Sequence, residues 1–234
     1  MFVDVHSHVV PSGDDGAPDV ETGLELCREA GRRGTSVLYG TPHVWPHLPL
    51  TAEREAEIRL AHREMAARAA EWGLDLRLGF EVTPSPELVD EDLGRYALDG
   101  LGAVLLDMPF SGPLELAERV AAQVEASGLV PLLAHPERAD GVISDPLVAR
   151  VYRRRGWLLQ VNASSLLGRH GSEAEETGWL LVERGLCDVI ASDGHRTTRP
   201  PFLDEAYEAV EARLGVEAGA LFDGARLRTS TAAR

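Results

Sequence analysis

The chain contains no lysine: all 23 of its basic side chains are arginine. That absence excludes a Schiff-base lysine, the lysine of a phosphate-binding P-loop and any metal site bridged by a modified lysine. Cysteine is nearly absent as well. Cys27 and Cys187 cannot build a disulfide framework or a cysteine-rich zinc site, and they read as reduced structural residues. No apolar run approaches the ~18–20 residues of a membrane span, so no membrane insertion is expected. The opening residues, Met1-Phe2-Val3-Asp4-Val5-His6, set an acid and a histidine where a signal peptide needs basic and then apolar residues, and a cytoplasmic protein is expected. Positive charge is scarce, with 23 basic against 38 acidic residues and a formal net charge of −15. Such an excess repels nucleic-acid phosphates and anionic membranes, which argues against a nucleic-acid partner. A local arginine pocket for bidentate phosphate recognition remains compatible with it.

What is present is an ordinary globular composition, 44% hydrophobic and 26% charged over 234 residues. Short Val/Leu-rich runs at Phe2–Val5, Ser36–Gly40, Leu74–Phe80, Ala103–Leu106, Leu129–Ala134, Trp157–Val161 and Asp188–Ala191 have the character of buried parallel strands. Amphipathic stretches lie between them at Val20–Arg33, Ala52–Trp72, Pro113–Ser127, Pro146–Arg155, Glu173–Arg184 and Leu203–Leu214. Gly34, Gly73, Gly128, Gly156 and Gly185 stand where helix C-termini belong, and Asp145-Pro146 fits an N-cap followed by proline. Strand–helix alternation throughout implies an α/β fold with a parallel sheet. Seven strands suggest a (β/α)7 TIM-like barrel, with an open doubly wound sheet as the alternative. Residues 1–214 read as a single domain. Residues 215–234 read as a C-terminal extension without a catalytic element, its last stretch Arg228–Arg234 expected to be disordered.

Six of the seven strands end in histidine or carboxylate. The elements are His6-Ser7-His8 with Asp14-Asp15-Gly16, then His43, Glu81, Asp107, His135-Pro136-Glu137-Arg138 and Asp193-Gly194-His195. Side chains two apart on a strand share a face, so His6 and His8 can bind one ion, and Asp193 and His195 repeat the spacing. A lone His-x-His is weak evidence; the joint pattern is not. Imidazole and carboxylate without thiolate suit Mn, Zn, Fe or Mg. Crowded carboxylates repel unless cations lie between them, and such cations lower the pKa of bound water toward ~7. Arg138 is placed to grip a phosphate, and Arg199 is a second, weaker candidate. His62 reads as a solvated helix residue, His170 as a loop or cap residue, and His47 as part of a Pro-rich loop beside His43.

These motifs, with Gln160-Val161-Asn162-Ala163-Ser164-Ser165-Leu166-Leu167-Gly168, resemble the polymerase and histidinol phosphatase (PHP) superfamily. Within it they look most like the bacterial manganese-dependent protein-tyrosine phosphatases of capsule and exopolysaccharide operons. The resemblance runs from about Met1 to about Val210. It implies a distorted seven-stranded barrel with three divalent ions per chain, manganese foremost. His6, His8, Glu81 and Asp193 would hold one ion. Glu81 would bridge to a second, shared with Asp107 and His135, and Asp15, His43 and His195 would hold the third. It further implies catalytic roles for Arg138, His43 and His195, direct hydrolysis without a phosphoenzyme, and a bacterial tyrosine kinase as phosphotyrosine partner. Three departures stand out: Asp107 where glutamate is usual, Thr83 where arginine is usual, and Gly194 where alanine is usual, the last expected to be harmless.

Other readings are open at this point. Cys27 and Arg33 have the Cys-x5-Arg spacing of a cysteine phosphatase, but inside a helical period with an acid in the would-be anion loop. A phosphatase for a small metabolite such as histidinol phosphate, a metal-stabilised binding module without turnover, and a nuclease accessory complete the set. The −15 charge disfavours the last. Oligomeric state is not legible.

Overall fold

The computed structural model describes residues 1–227; the expectation for Arg228–Arg234 lies outside the described residues. The strands are β1 (Phe2–Asp4), β2 (Thr35–Gly40), β3 (His43–Val44), β4 (Asp75–Leu78), β5 (Glu81–Val82), β6 (Ala103–Asp107), β7 (Val130–Ala134), β8 (Leu158–Asn162) and β9 (Val189–Ala191). The helices are α1 (Val20–Arg32), α2 (Ala52–Ala70), α3 (Glu115–Ala126), α4 (Asp140–Ser144), α5 (Val148–Arg154), α6 (Ala163–Leu166), α7 (Ser172–Glu183) and α8 (Asp204–Leu214). Asp19 caps α1 by accepting from the Thr22 N–H at 2.8 Å, and Thr51 caps α2 through the Arg54 N–H. Gly34 closes α1 at φ +98° and Gly128 closes α3 at φ +78°, conformations that favour glycine. Asp145 does not cap a helix beginning at Pro146. It ends α4, an element the sequence pattern did not disclose, and its carboxylate accepts the Leu147 N–H before α5 starts.

All strand pairs are parallel and form two sheets, β1-β2-β4 and β3-β5-β6-β7-β8-β9. Seven strands coincide with the expected apolar runs. The two-residue β3 and β5 prolong the second and third of these beyond interruptions at Thr41-Pro42 and Gly79-Phe80. Gly79 is pressed against Leu98: a Cβ there would lie 2.4 Å from the leucine Cδ2. Pairing continues through the interruption, because the Gly79 N–H donates to Gly40 O and the Glu81 N–H to Pro42 O. At the other margin the Asp193 N–H donates to His6 O and the His8 N–H to Gly194 O. Among the described residues no single ladder closes around the strands, so the architecture is an α/β fold of two parallel sheets.

Period-2 alternation divides the strand residues between two cores. Val104, Leu106, Leu133, Leu159, Val161 and Ile190 face out and pack under the helices. Ala103, Leu105, Val130, Leu132, Ala134, Leu158, Val189 and Ala191 face inward, joined by Val5 and by Tyr39 of β2. Both sheets therefore share one interior, and strands buried on both faces explain the near-continuous apolar runs. Residues after α8 finish this interior. The Phe222 carbonyl accepts the Val3 N–H at 2.7 Å, and Leu227 is buried in the inner cluster. Among the described residues no helix is long and apolar enough to cross a membrane.

Candidate metal centre

A cavity opens at the carboxyl ends of the strands. It is lined by Asp15, His43, Glu81, Asp107, His135, Arg138, Asp193, His195 and Arg199, with Trp45 and Phe110. His6 and His8 form the buried floor beneath it. Every expected ligand is thus brought to one place, as are both arginines expected to bind phosphate.

Glu81 is the hub. Its Oε2 lies 2.9 Å from His43 Nδ1, 3.2 Å from His6 Nε2 and 3.3 Å from His8 Nε2. Its Oε1 lies 3.0 Å from His135 Nε2. Yet Oε2 is buried without a hydrogen-bond partner, as are His43 Nδ1 and His8 Nδ1. Several lone pairs converge at short range without hydrogen-bonding geometry, which is what a cation-binding set requires. Asp193 Oδ1 joins the same floor, 3.4 Å from His6 Nε2 and 3.5 Å from His8 Nε2. Asp107 Oδ1 stands 3.7 Å from His135 Nε2. Asp15 lies outermost and half exposed, its Oδ1 3.3 Å from His195 Nε2 and 3.5 Å from His43 Nε2.

Among the described residues three groups of ligand atoms are close enough to hold an ion: His6 with His8 and Asp193, His6 with Glu81 and His135, and His8 with His43 and His195. In this geometry His6 and His8 each belong to two of these groups. The Asp193–His195 pair also differs from the expected strand alternation. Asp193 has φ +53° and His135 has φ +36°, the two non-glycine residues with positive φ among those described. Left-handed backbone at two candidate ligands is strain located at the site.

The electrostatics favour added positive charge. Burial opposes ionisation of Glu81 and Asp193, but the surrounding imidazoles, with Arg199 beside Asp193, outweigh it and hold both carboxylates well below their ordinary range. Burial also opposes protonation of His135, yet Glu81 leads the carboxylates that push it up to about 9. Asp107 moves the other way, raised by burial and by the charge of Glu81.

Three features were missed at the level of sequence. Asp14, not only Asp15, is structural to the centre. Its side chain is buried, accepts the His43 N–H at 2.9 Å and lies 3.6 Å from His8 Nδ1. The second feature is a buried amide relay at the start of the Gln160–Gly168 motif. Gln160 Oε1 lies 2.9 Å from His6 Nδ1, Gln160 Nε2 donates to Asn162 Oδ1 at 2.8 Å, and Asn162 Nδ2 donates to Asp193 Oδ2 at 2.7 Å. The third is Glu137, buried behind Arg138, which accepts from the Asn162 N–H and the Ser165 hydroxyl. The signal available for the last two was polar side chains inside or beside an apolar strand.

The remaining candidates divide. Arg199 reaches the site, its Nη2 2.5 Å from Asp193 Oδ2, with Arg138 Nη1 at 3.5 Å from the same oxygen. His47 is exposed and stacks on Trp45, which stacks on His43. His170 is a loop residue that also bonds Ser165 at 3.0 Å, and burial with the nearby arginines lowers it to about 4. His62 is not a solvated residue: it is half-buried, 3.0 Å from the Leu76 carbonyl. Cys27 lies inside α1, and burial pushes its thiol up to about 12, which removes the thiolate a cysteine phosphatase needs. Gly194 is not a harmless departure. A Cβ there would lie 2.4 Å from Pro201 N, so glycine is what lets the Arg199 loop approach.

A parallel α/β scaffold carrying buried imidazoles and carboxylates at its strand ends, with two arginines beside them, defines a metal-binding protein of the TIM-barrel-like hydrolase type. Comparison narrows this. The sequence matches the family model for capsular polysaccharide synthesis, CpsB/CapC, over residues 2–222, and the chain belongs to that family. It is 29% identical over 229 residues to the tyrosine-protein phosphatase YwqE of Bacillus subtilis, covering 92% of this chain and 86% of that protein. It is 26% identical to the tyrosine-protein phosphatase CpsB of Streptococcus pneumoniae, covering 92% of each. Among solved structures it superposes on the work describing YwqE and CpsB as metal-dependent tyrosine phosphatases, with TM-score 0.82, 26% identity, and 93% and 89% of the two chains covered. The phosphotriesterase homology protein of Escherichia coli shares the fold at TM-score 0.57 and 12% identity, covering 98% of this chain and 97% of that one. The resemblance read from the motifs is borne out.

Proposed function

We propose that this chain is a metal-dependent phosphomonoester hydrolase acting on protein phosphotyrosine. The observation that carries the reading is the convergence of imidazole nitrogens on the buried, unbonded Glu81 Oε2, with Arg138 and Arg199 on the wall of the same cavity. Family membership and the names of the relatives support the tyrosine assignment.

The donor set fits hard or borderline divalent ions. We assign His6, His8, Glu81 and Asp193 to one, Glu81, Asp107 and His135 to a second, and Asp15, His43 and His195 to a third, with manganese foremost and iron, zinc or magnesium as alternatives. Bound there, such ions would neutralise the carboxylates and make hydroxide available near neutral pH. Arg138 and Arg199 bind the phosphoryl oxygens. Their guanidinium groups are held by Asp193 Oδ2, which fixes two cationic forks beside the reacting phosphorus. His43 and His195 orient the substrate side of the centre. Phenolate, with a conjugate-acid pKa of roughly 10, leaves without a strong general acid.

The same proposal extends to context. Residues 1–214 form the phosphoesterase domain, a distorted (β/α)7 barrel in which the β1–β9 margin completes the ring. Residues 215–227 belong to an extension that plugs the interior. The substrate is a bacterial tyrosine kinase involved in polysaccharide synthesis, and the compartment is the cytoplasm, in keeping with two buried, unpaired cysteines. The test is phosphate release from a phosphotyrosine peptide by metal-loaded protein, beside chelated protein and His135→Ala. Release that disappears in both controls is the expected result. A metal-loaded wild type that releases none refutes the tyrosine assignment.

A further inference from the structure

Among the described residues lining the cavity, every side chain except Trp45 and Phe110 is ionisable. Phosphate capture and water activation have no use for those two. Phe110 is conspicuous: it follows β6, half of its surface is open to solvent (50%), and it is one of few large apolar side chains so exposed. Its backbone is not loose, because the Phe110 carbonyl accepts the Asp140 N–H at 2.9 Å, tying the loop to the start of α4. Its ring lies 4.2 Å from the Arg138 guanidinium and 5.5 Å from the His135 ring. The aromatic surface therefore begins where the phosphate-binding arginine ends. Trp45 is held differently. It stacks on His43 at 4.3 Å and on His47 at 5.2 Å, and contributes apolar lining beside the outer histidines.

We infer that Phe110, with Trp45, forms an aromatic wall that selects aryl over alkyl phosphoryl groups. The inference rests on the phosphoester reading of the cavity and adds the residue that sets its preference. A phosphoryl group seated against Arg138 places its ester substituent next to Phe110. A methyl group leaves that ring in water. A phenyl ring covers it and gains an aromatic contact of about two- to tenfold in affinity.

Phe110 could instead serve only to orient Arg138 through the cation–π contact, and the experiment separates the two roles. Dissociation constants for phenylphosphonate and methylphosphonate are measured by calorimetry on manganese-loaded wild type, Phe110→Ala and Phe110→Trp. We expect the phenyl-to-methyl affinity ratio to fall about fivefold in Phe110→Ala and to be kept in Phe110→Trp. A ratio unchanged within twofold, with wild type binding both compounds, overturns the inference and leaves the phosphoester reading standing. Equal weakening of both phosphonates does the same and assigns Phe110 to the orientation of Arg138. Wild type binding neither compound refutes the phosphoester reading and this inference with it.

Discussion

Replacing Gln160 by leucine tests whether the buried amide relay controls the metal centre. The relay has a direction that follows from elementary donor counting. The Asp193 carboxylate can only accept, so Asn162 turns its amino group toward Asp193 Oδ2. Asn162 Oδ1 must then accept, which turns the Gln160 amino group toward it. Gln160 Oε1 is left as an acceptor, so His6 carries its proton on Nδ1 and presents a bare Nε2 to the cavity. Gln160→Leu preserves burial and approximate volume but strands His6 Nδ1 and Asn162 Oδ1. Losing such a partner of a metal-ligating histidine costs ~10–100-fold in metal affinity or activity, equivalent to ~1.4–2.7 kcal/mol. Two unpaired buried groups add a stability cost of about 1–3 kcal/mol each. Metal affinity is read by competition with a chromogenic chelator, stability by thermal melting of chelated protein, and the tautomer by nitrogen NMR of His6. Metal affinity within threefold of wild type, or a proton found on His6 Nε2 in wild-type protein, would refute the reasoning. Gln160→Glu is a sharper probe. It still accepts from His6 but sets two oxygens face to face with Asn162, and turning Asn162 over only moves the clash to Asp193.

Cys27→Ser should leave kcat/KM on a phosphotyrosine peptide within twofold, since the thiol is buried and raised to about 12; lost turnover with metal retained would restore the cysteine mechanism. Gly194→Ala should push Pro201 away by about 1 Å to relieve a 2.4 Å contact, at about 1–3 kcal/mol of stability, and should weaken phosphate binding by displacing Arg199. An unchanged melting temperature and KM would show that the loop accommodates the methyl freely. Asp188 offers a pH test away from the metal ligands. Burial, opposed by Arg153 at 2.9 Å, raises its carboxyl to about 6. A raised folded-state pKa means its contribution is fully present below the unfolded value of roughly 3.9 and is lost as pH rises through about 6, a change of ~3 kcal/mol. Denaturant unfolding from pH 4 to 7 should therefore show wild type losing stability relative to Asp188→Asn, and parallel pH curves for the two proteins would contradict the assignment.

The parts of the fold legible in the sequence were those with a local physical signal. Doubly buried strands gave apolar runs, helix ends gave glycines, and most candidate ligands stood as polar residues closing an apolar run. The interruptions of the second and third strands left no such mark, because Gly79 is required by a distant neighbour, Leu98. The candidate ligands were legible one by one, and their partners were not. Gln160 and Asn162 gain meaning only from parallel register, where Asn162 pairs with Ala191 and so comes beside Asp193. Phe110 and Trp45 carried no periodicity that separates a cavity wall from an ordinary loop residue.

The expected alternation of Asp193 and His195 fails for an instructive reason. Extended backbone would send both side chains to one face and leave the Asp193 carbonyl to a neighbouring strand. With φ +53° the chain turns, and that carbonyl instead meets His195 Nδ1 at 2.9 Å. A carbonyl only accepts, so His195 carries its proton on Nδ1 and turns a bare Nε2 toward Asp15, 3.3 Å away. The strained residue, at a cost of about 1–3 kcal/mol, thus sets the tautomer of the next histidine, as the amide relay sets that of His6. Two unrelated devices, one backbone and one side chain, both leave Nε2 free at the cavity. Rigid tautomer control of this kind has no value for packing, and it is what a centre that holds cations through neutral imidazoles requires.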